Sequence, residues 1–162
     1  MTLRLTIGID PGLSGAVAVL ADGRYSEVFD MPTVGRGKAG RQTVNAAGLS
    51  NLIRSVRALH PGADVSAVVE DVAARPGNGS ASMFRFGHAC GAVAGVLGAL
   101  GVPVAYVTPG RWKRAYGLLG AEKDASRGRA IDLFPAAPLG RKRDHGRAEA
   151  LLLAAWADKE AQ

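Results

Sequence analysis

L-R-L-T-I-G-I-D-P-G-L-S-G-A-V-A-V-L, residues 3–20, sets the frame of the fold. Residues 3–10 alternate and then become apolar, which marks a strand ending at Asp10. Pro11-Gly12 breaks it, because proline offers no amide proton to a ladder and glycine admits turn conformations. Residues 14–20 read as a second strand. Ala21-Asp22-Gly23-Arg24 is a hairpin signal, since Asp-Gly supplies a primed turn. Residues 25–31 (Y-S-E-V-F-D-M) then form a third strand, so the chain opens with an antiparallel meander.

Outward from that meander the pattern changes. Residues 32–44, with Gly35, Gly37, Gly40, Arg36, Lys38 and Arg41, read as a basic, flexible loop. Residues 46–59 carry Leu49, Leu52, Ile53, Val56 and Leu59 at helical spacing. Residues 65–70 (V-S-A-V-V-E) are a buried strand ending at Glu70. A polar loop with Arg75, Pro76, Gly77, Asn78 and Gly79 follows, and Ser80 or Ser82 caps a long helix reaching about Leu100. Residues 102–107 form a strand, and Pro109 starts a helix carrying Trp112, Lys113 and Arg114. A polar helix over 122–133 and a basic Pro/Gly loop over 135–143 precede a final helix, 145–158, apolar at Ala148, Leu151, Leu152, Ala155 and Trp156. A meander followed by strand–helix alternation predicts an α/β domain over 1–162. Its mixed five-stranded sheet joins the antiparallel meander to two parallel strands, with helices on both faces. No internal repeat or second domain is visible.

The composition suits a globular chain: 48% of the 162 residues are hydrophobic and 21% charged, with few aromatics, so the core draws on Val, Leu, Ile and Ala. A net charge of +6 favours an anionic partner. The single cysteine, Cys90, excludes an intramolecular disulfide and a cysteine-held zinc, and reads as a small core residue. No apolar run spans a membrane, and the N-terminus lacks a signal-peptide pattern, so the expected location is intracellular, in the cytoplasm or nucleoid.

Three acids stand out by position. Asp10 ends the first strand, Glu70 ends the fourth, and Glu149 interrupts the apolar final helix. If the two strands are neighbours, Asp10 and Glu70 share one sheet edge and face whatever helix crosses it. Crowded carboxylates resist ionisation unless a cation joins them, and hard oxygen donors select magnesium or manganese. Two such ions stabilise the attacking and leaving oxygens of phosphodiester cleavage. Taken singly, Asp10 also reads as a turn residue before Pro-Gly, Glu70 as a strand-end charge, and Glu149 as a partner for Arg147 or Lys142.

I-G-I-D-P-G-L-S-G-A (7–16), V-V-E-D-V (68–72) and D-H-G-R-A-E-A-L-L-L-A (144–154), with P-G-R-W-K (109–113) between them, resemble the RuvC-type Holliday junction resolvases, especially their phage and organelle branch. The resemblance implies a ribonuclease-H-like fold, a homodimer, branched DNA of the four-way type as substrate, and paired nicks made with Mg2+ (or Mn2+), two ions per site. Carried across, Asp10, Glu70 and Glu149 become metal ligands. Bacterial members place an Asp or His one turn before the last acid. Here Gly146 stands three residues before Glu149, His145 four and Asp144 five, so Asp144 and His145 compete for that place; Asp144 also reads as a helix N-cap. A Glu at 149, rather than a shorter Asp, is a second departure.

Arg75, Arg85, Lys113, Arg114, Arg141, Lys142 and Arg143 flank these motifs and are the candidate phosphate contacts; each alone also reads as a solvated surface charge. Phe84 and Phe86 follow the Gly77–Gly79 loop, where the family can place an inserted aromatic, though core packing explains them equally. Gly87, Gly91 and Gly95 lie on one face of a helix, each costing roughly 1 kcal/mol relative to Ala. Close packing on the sheet or on a second subunit would offset that cost. Beside resolution of junctions stand three other readings: a less selective flap or hybrid nuclease, a junction-binding protein without activity, and a fragment of an actin-like sugar kinase.

Overall fold

The computed structural model describes residues 2–37, 40–73, 77 and 79–161. Lys38, Arg75, Pro76 and Asn78 lie outside them. Five strands form the main sheet: β1 (Arg4–Asp10), β2 (Ala16–Ala21), β3 (Arg24–Asp30), β6 (Asp64–Glu70) and β7 (Val104–Val107). Their spatial order is β3-β2-β1-β6-β7. The first three are antiparallel, while β6 runs parallel to both β1 and β7. This is the expected mixed sheet. Asp22 and Gly23, at φ 47° and 75°, make the left-handed turn that returns β2 into β3.

Helices cover both faces, as the alternation of the strands requires. On one face, Ile7, Ile9, Val17, Ala67 and Val69 are sealed by α1 (Ala46–Leu59) and α2 (Ser80–Ala99), through Leu49 and Ile53 of the first and Ala89, Val93 and Leu97 of the second. On the other, Ala16, Ala18, Leu20 and Val68 pack under α5 (His145–Glu160), with Trp112 of α3 (Pro109–Ala115) and Ala130 of α4 (Ala125–Leu133) completing the layer. Residues 150–156 of α5 are all buried, because the helix lies between the sheet and its neighbouring helices. Arg4 ties the start of β1 to the far end of α5 through Asp158, at 2.7 Å.

The segment read as a flexible loop is a second, two-stranded sheet. β4 (Thr33–Arg36) pairs antiparallel with β5 (Arg41–Val44). Thr33, Val34, Thr43 and Val44 supply β-branched side chains to the ladder, and Gly37 and Gly40 take the positive φ of its turn; the glycines masked this alternation in the sequence. Helix α2 begins at Ser80 with Gly79 in the cap position, so neither Ser80 nor Ser82 caps it. Asn45 caps α1 by accepting from the Gly48 amide.

Candidate active site

The register of β1 and β6 pairs Ile9 with Val69, so Asp10 and Glu70 emerge side by side at the carboxyl edge of two parallel strands. Open α/β sheets characteristically bind ligands at such an edge. Asp10 is followed by a tight turn closed by the Gly15 amide on the Gly12 carbonyl. Its Oδ1 accepts a long hydrogen bond, 3.3 Å, from the Gly12 amide. Glu70 is buried and lies at the last rung of the β6–β7 ladder, opposite Val107.

Helix α5 brings the third acid. Side chains of β1 alternate, so Gly8 and Asp10 face α5. A methyl group on Gly8 would overlap the Ala150 carbonyl, and one on Gly146 would overlap the Ser14 carbonyl. These two glycines let the helix backbone press onto β1 and its following turn, and that approach carries Glu149 to Asp10. The electrostatics record the crowding. The Asp10 carboxyl is pushed up from 3.8 to about 7, first by burial and then by the charges of Glu149 and Glu70; the Gly12 amide and Lys113 offset part of this.

Helix α3 supplies the counterweights from two consecutive residues. The indole N–H of Trp112 donates to Oε1 of Glu70 at 2.9 Å. The Lys113 ammonium lies 3.4 Å from Oε1 of Glu149. Among the described residues, no three His, Cys, Asp or Glu side chains are already gathered as a metal-binding group. The acids thus share one electrostatic neighbourhood without closing a cage, Glu70 and Glu149 each being engaged by α3.

The contenders for a fourth place differ sharply. Asp144 is buried at the start of α5, and both its oxygens accept from Arg141: Oδ2 from the backbone amide and Oδ1 from Nε, each at 2.8 Å. Burial alone would raise its pKa, but these hydrogen bonds and the charges of Arg141 and Arg147 hold it below the ordinary value. Arg147 in turn grips Asp30 at the end of β3, at 2.6 and 3.0 Å. Asp144 therefore belongs to a clamp that seats α5. His145 is half-buried, and its buried Nδ1 has no hydrogen-bond partner among the described residues. At Gly146 the Ser14 carbonyl leaves no room for a side chain.

The basic residues fall into separate regions. Lys113 joins the acids directly. Arg114, Lys142 and Arg143 are exposed, and Arg141 is exposed but engaged by Asp144. Arg75 lies outside the described residues. Arg85 lines a groove of about 1240 Å³ between α2 and the β4–β5 hairpin. The same groove contains Arg36, Arg41, His88, Phe84 and Leu13, three residues beyond Asp10. Phe84 is 77% exposed, so it is no core residue. Reading 32–44 as a loop hid the contribution of Arg36 and Arg41 to a shaped surface. Trp112 was missed as a site residue, although the P-G-R-W-K motif contained it. Cys90 is half-buried, and burial with the charges of Asp10, Asp71 and Glu70 pushes its thiol up, away from nucleophilic use.

Gly87, Gly91 and Gly95 lie on the exposed side of α2, where an added methyl group would meet nothing within 4 Å. Packing against the sheet of the same chain does not explain them. Among the described residues, no helix is long and apolar enough to cross a membrane.

Among solved structures, Thermus thermophilus RuvC in complex with a Holliday junction substrate superposes with a TM-score of 0.62 at 18% identity, over 98% of this chain and 96% of that one. The chain has the RuvC fold. A second Thermus thermophilus RuvC structure gives a TM-score of 0.57 over the same shares. In sequence, this RuvC-fold chain is 42% identical over 85 residues to the chloroplastic Holliday junction resolvase MOC1 of Chlamydomonas reinhardtii. That match covers 51% of this chain and 10% of the relative, so the chain spans only about a tenth of that relative's length. No family model matches the chain. The ribonuclease-H-like fold and the resemblance to RuvC-type resolvases read from the sequence are both borne out.

Proposed function

We propose that the chain is a structure-selective endonuclease that resolves four-way DNA junctions by metal-dependent phosphodiester hydrolysis in paired nicks. The observation that carries this reading is the gathering of Asp10, Glu70 and Glu149 at the edge of β1 and β6, where burial first, and then the charges of Glu149 and Glu70, raise the Asp10 pKa to about 7. Such a site destabilises its own negative charge and suits a hard divalent cation. The relatives suggest the substrate: one is a Holliday junction resolvase similar in sequence, the other a RuvC bound to a Holliday junction and similar in fold.

Asp10, Glu70 and Glu149 hold the metal, with His145 favoured over Asp144 for a fourth place, since the Asp144 carboxylate is occupied by Arg141. Magnesium is the working ion and manganese its substitute, two per site. When bound, the ions supply Lewis acidity and an activated water. The chain's own groups do the rest. Lys113 leaves Glu149 for a phosphate oxygen. Arg85, Arg114, Lys142 and Arg143 neutralise the backbone of the arms and release counterions. The 162 residues act as one nuclease domain, and two copies pair through the glycine face of α2, because a two-fold substrate calls for two sites related by two-fold symmetry.

The test is a cleavage assay on synthetic four-way junctions, flaps, duplexes and RNA–DNA hybrids with MgCl2, run beside Asp10→Asn and Glu70→Gln. Paired nicks confined to the junction and lost in both variants support the reading. A second reading, junction binding without cleavage, is favoured by the absence of a preformed three-acid metal group among the described residues. It predicts tight junction binding and intact strands with magnesium and manganese alike.

A further inference from the structure

We propose that Trp112 is a positioning residue for the metal site, its indole N–H fixing the Glu70 carboxylate in the orientation from which that acid grips a divalent ion. The inference rests on the nuclease reading above and adds a residue to it.

Trp112 is fully buried and packs in the core layer beneath α5. If volume were its whole purpose, a Phe or Leu would serve without burying a polar group, which is costly unless it is hydrogen-bonded. An indole N–H is a donor only, so the direction of this bond is fixed. Its acceptor is a carboxylate oxygen, at 2.9 Å, on a residue that is itself buried. Hydrogen bonds to ionised acceptors are among the strong ones.

The backbone makes the arrangement stiff. Glu70 is paired with Val107 at the end of the ladder, and the Asp71 amide donates to the Val107 carbonyl at 2.8 Å. The chain then turns at Thr108, enters α3 at Pro109, and returns Trp112 to the residue beside which it started. Donor and acceptor are thus held by one short, hydrogen-bonded excursion of the main chain.

The chemistry of the donor matters as much as its place. A lysine or arginine on Glu70 would stabilise the carboxylate but compete with a cation for it. The neutral indole orients the anion and adds no formal charge. Lys113, the next residue, is such a competing charge on Glu149, and its flexible stem lets it withdraw. One helix therefore treats its two acids differently: Glu70 is held in place, and Glu149 is held until displaced.

Replacing Trp112 with β-(3-benzothienyl)alanine exchanges N–H for sulfur at nearly constant volume, and Trp112→Phe is the genetically encoded counterpart. Manganese binding to the full chain, measured by titration calorimetry without DNA, reports the site directly. Loss of such an outer hydrogen bond to a metal ligand weakens metal affinity about 10–100-fold. That is the expected result, with junction affinity in EDTA unchanged and with cleavage recovering at high metal concentration. A folded benzothienyl variant with wild-type manganese affinity overturns the inference alone. Wild-type protein that neither binds manganese nor cleaves junctions overturns the nuclease reading and this inference with it.

Discussion

The Lys113 ammonium stands 3.4 Å from the Glu149 carboxylate, and the same charge pulls down the pKa of Asp10. In the absence of metal, Lys113 is a cation of the acidic site, acting on both Glu149 and Asp10. Removing it in Lys113→Ala leaves the repulsion among Asp10, Glu70 and Glu149 less compensated. The pair is partly exposed, so the stability cost in EDTA is about 0.5–1 kcal/mol, and saturating magnesium abolishes it. If Lys113 also contacts a phosphate, the salt dependence of junction binding falls by about one counterion. Urea denaturation with and without magnesium, and binding over a salt series, check both. A cost unaffected by magnesium would contradict this role.

Asp10 gives a pH signature with a definite sign. Its folded-state pKa, about 7, lies above the ordinary 3.8. The folded protein therefore holds this proton more tightly than the unfolded chain. The associated stability is fully present below the unfolded pKa and is lost as the pH rises through about 7. Above that, the ionised Asp10 burdens the metal-free protein. Asp10→Asn removes the burden and should stabilise the chain at pH 8 by on the order of a few kcal/mol while leaving it unchanged near pH 4. Denaturation of both proteins in EDTA at the two pH values measures this, and equal stability at pH 8 counts against the crowding.

Asp144 and the metal site should separate cleanly. Asp144→Asn weakens the bonds from Arg141 and loosens the start of α5, a loss of about 1–3 kcal/mol for a buried charged hydrogen-bonding group. Its oxygens already serve Arg141, so manganese affinity should survive. Calorimetric titration of this variant beside His145→Ala decides between the two contenders. A collapse of metal binding in Asp144→Asn alone would assign Asp144 to the site.

The glycine face of α2 offers a test of assembly. A Cβ added at Gly91 meets nothing within 4 Å among the described residues, so Gly91→Arg starts from open space on the exposed side of α2. It also replaces a poor helix former, gaining about 1 kcal/mol of helix propensity. The expected outcome by light scattering is loss of the dimer without loss of thermal stability in the monomer. A variant that stays dimeric places the two-fold contact elsewhere.

The meander, the fourth strand and every helix were legible in the sequence because apolar periodicity and turn residues agreed along those segments. The Asp-Gly turn at 22–23 illustrates this, since its chemistry and its backbone angles point the same way. The β4–β5 hairpin was not legible: Gly35, Gly37 and Gly40 interrupt the apolar–polar alternation that marks a strand, and its exposed face has no core to impose one. The placement of Asp10 beside Glu70 followed from strand order alone. Other parts of the site depended on side chains distant in sequence. The Trp112–Glu70 bond spans 42 residues and the Arg147–Asp30 grip spans 117. The reason Gly146 carries no ligand was equally hidden, because it lies in the carbonyl of Ser14 rather than in the helix itself.

In the proposed site, acids from two adjoining strands and the last helix hold shared divalent ions. A crystal structure of the protein grown with manganese, phased on the anomalous signal of the ion, tests it most directly. The expected result is anomalous peaks at ligand distance, about 2 Å, from the carboxylates of Asp10, Glu70 and Glu149, with Lys113 displaced from Glu149. Manganese bound elsewhere, or no peak among these three acids, would contradict it.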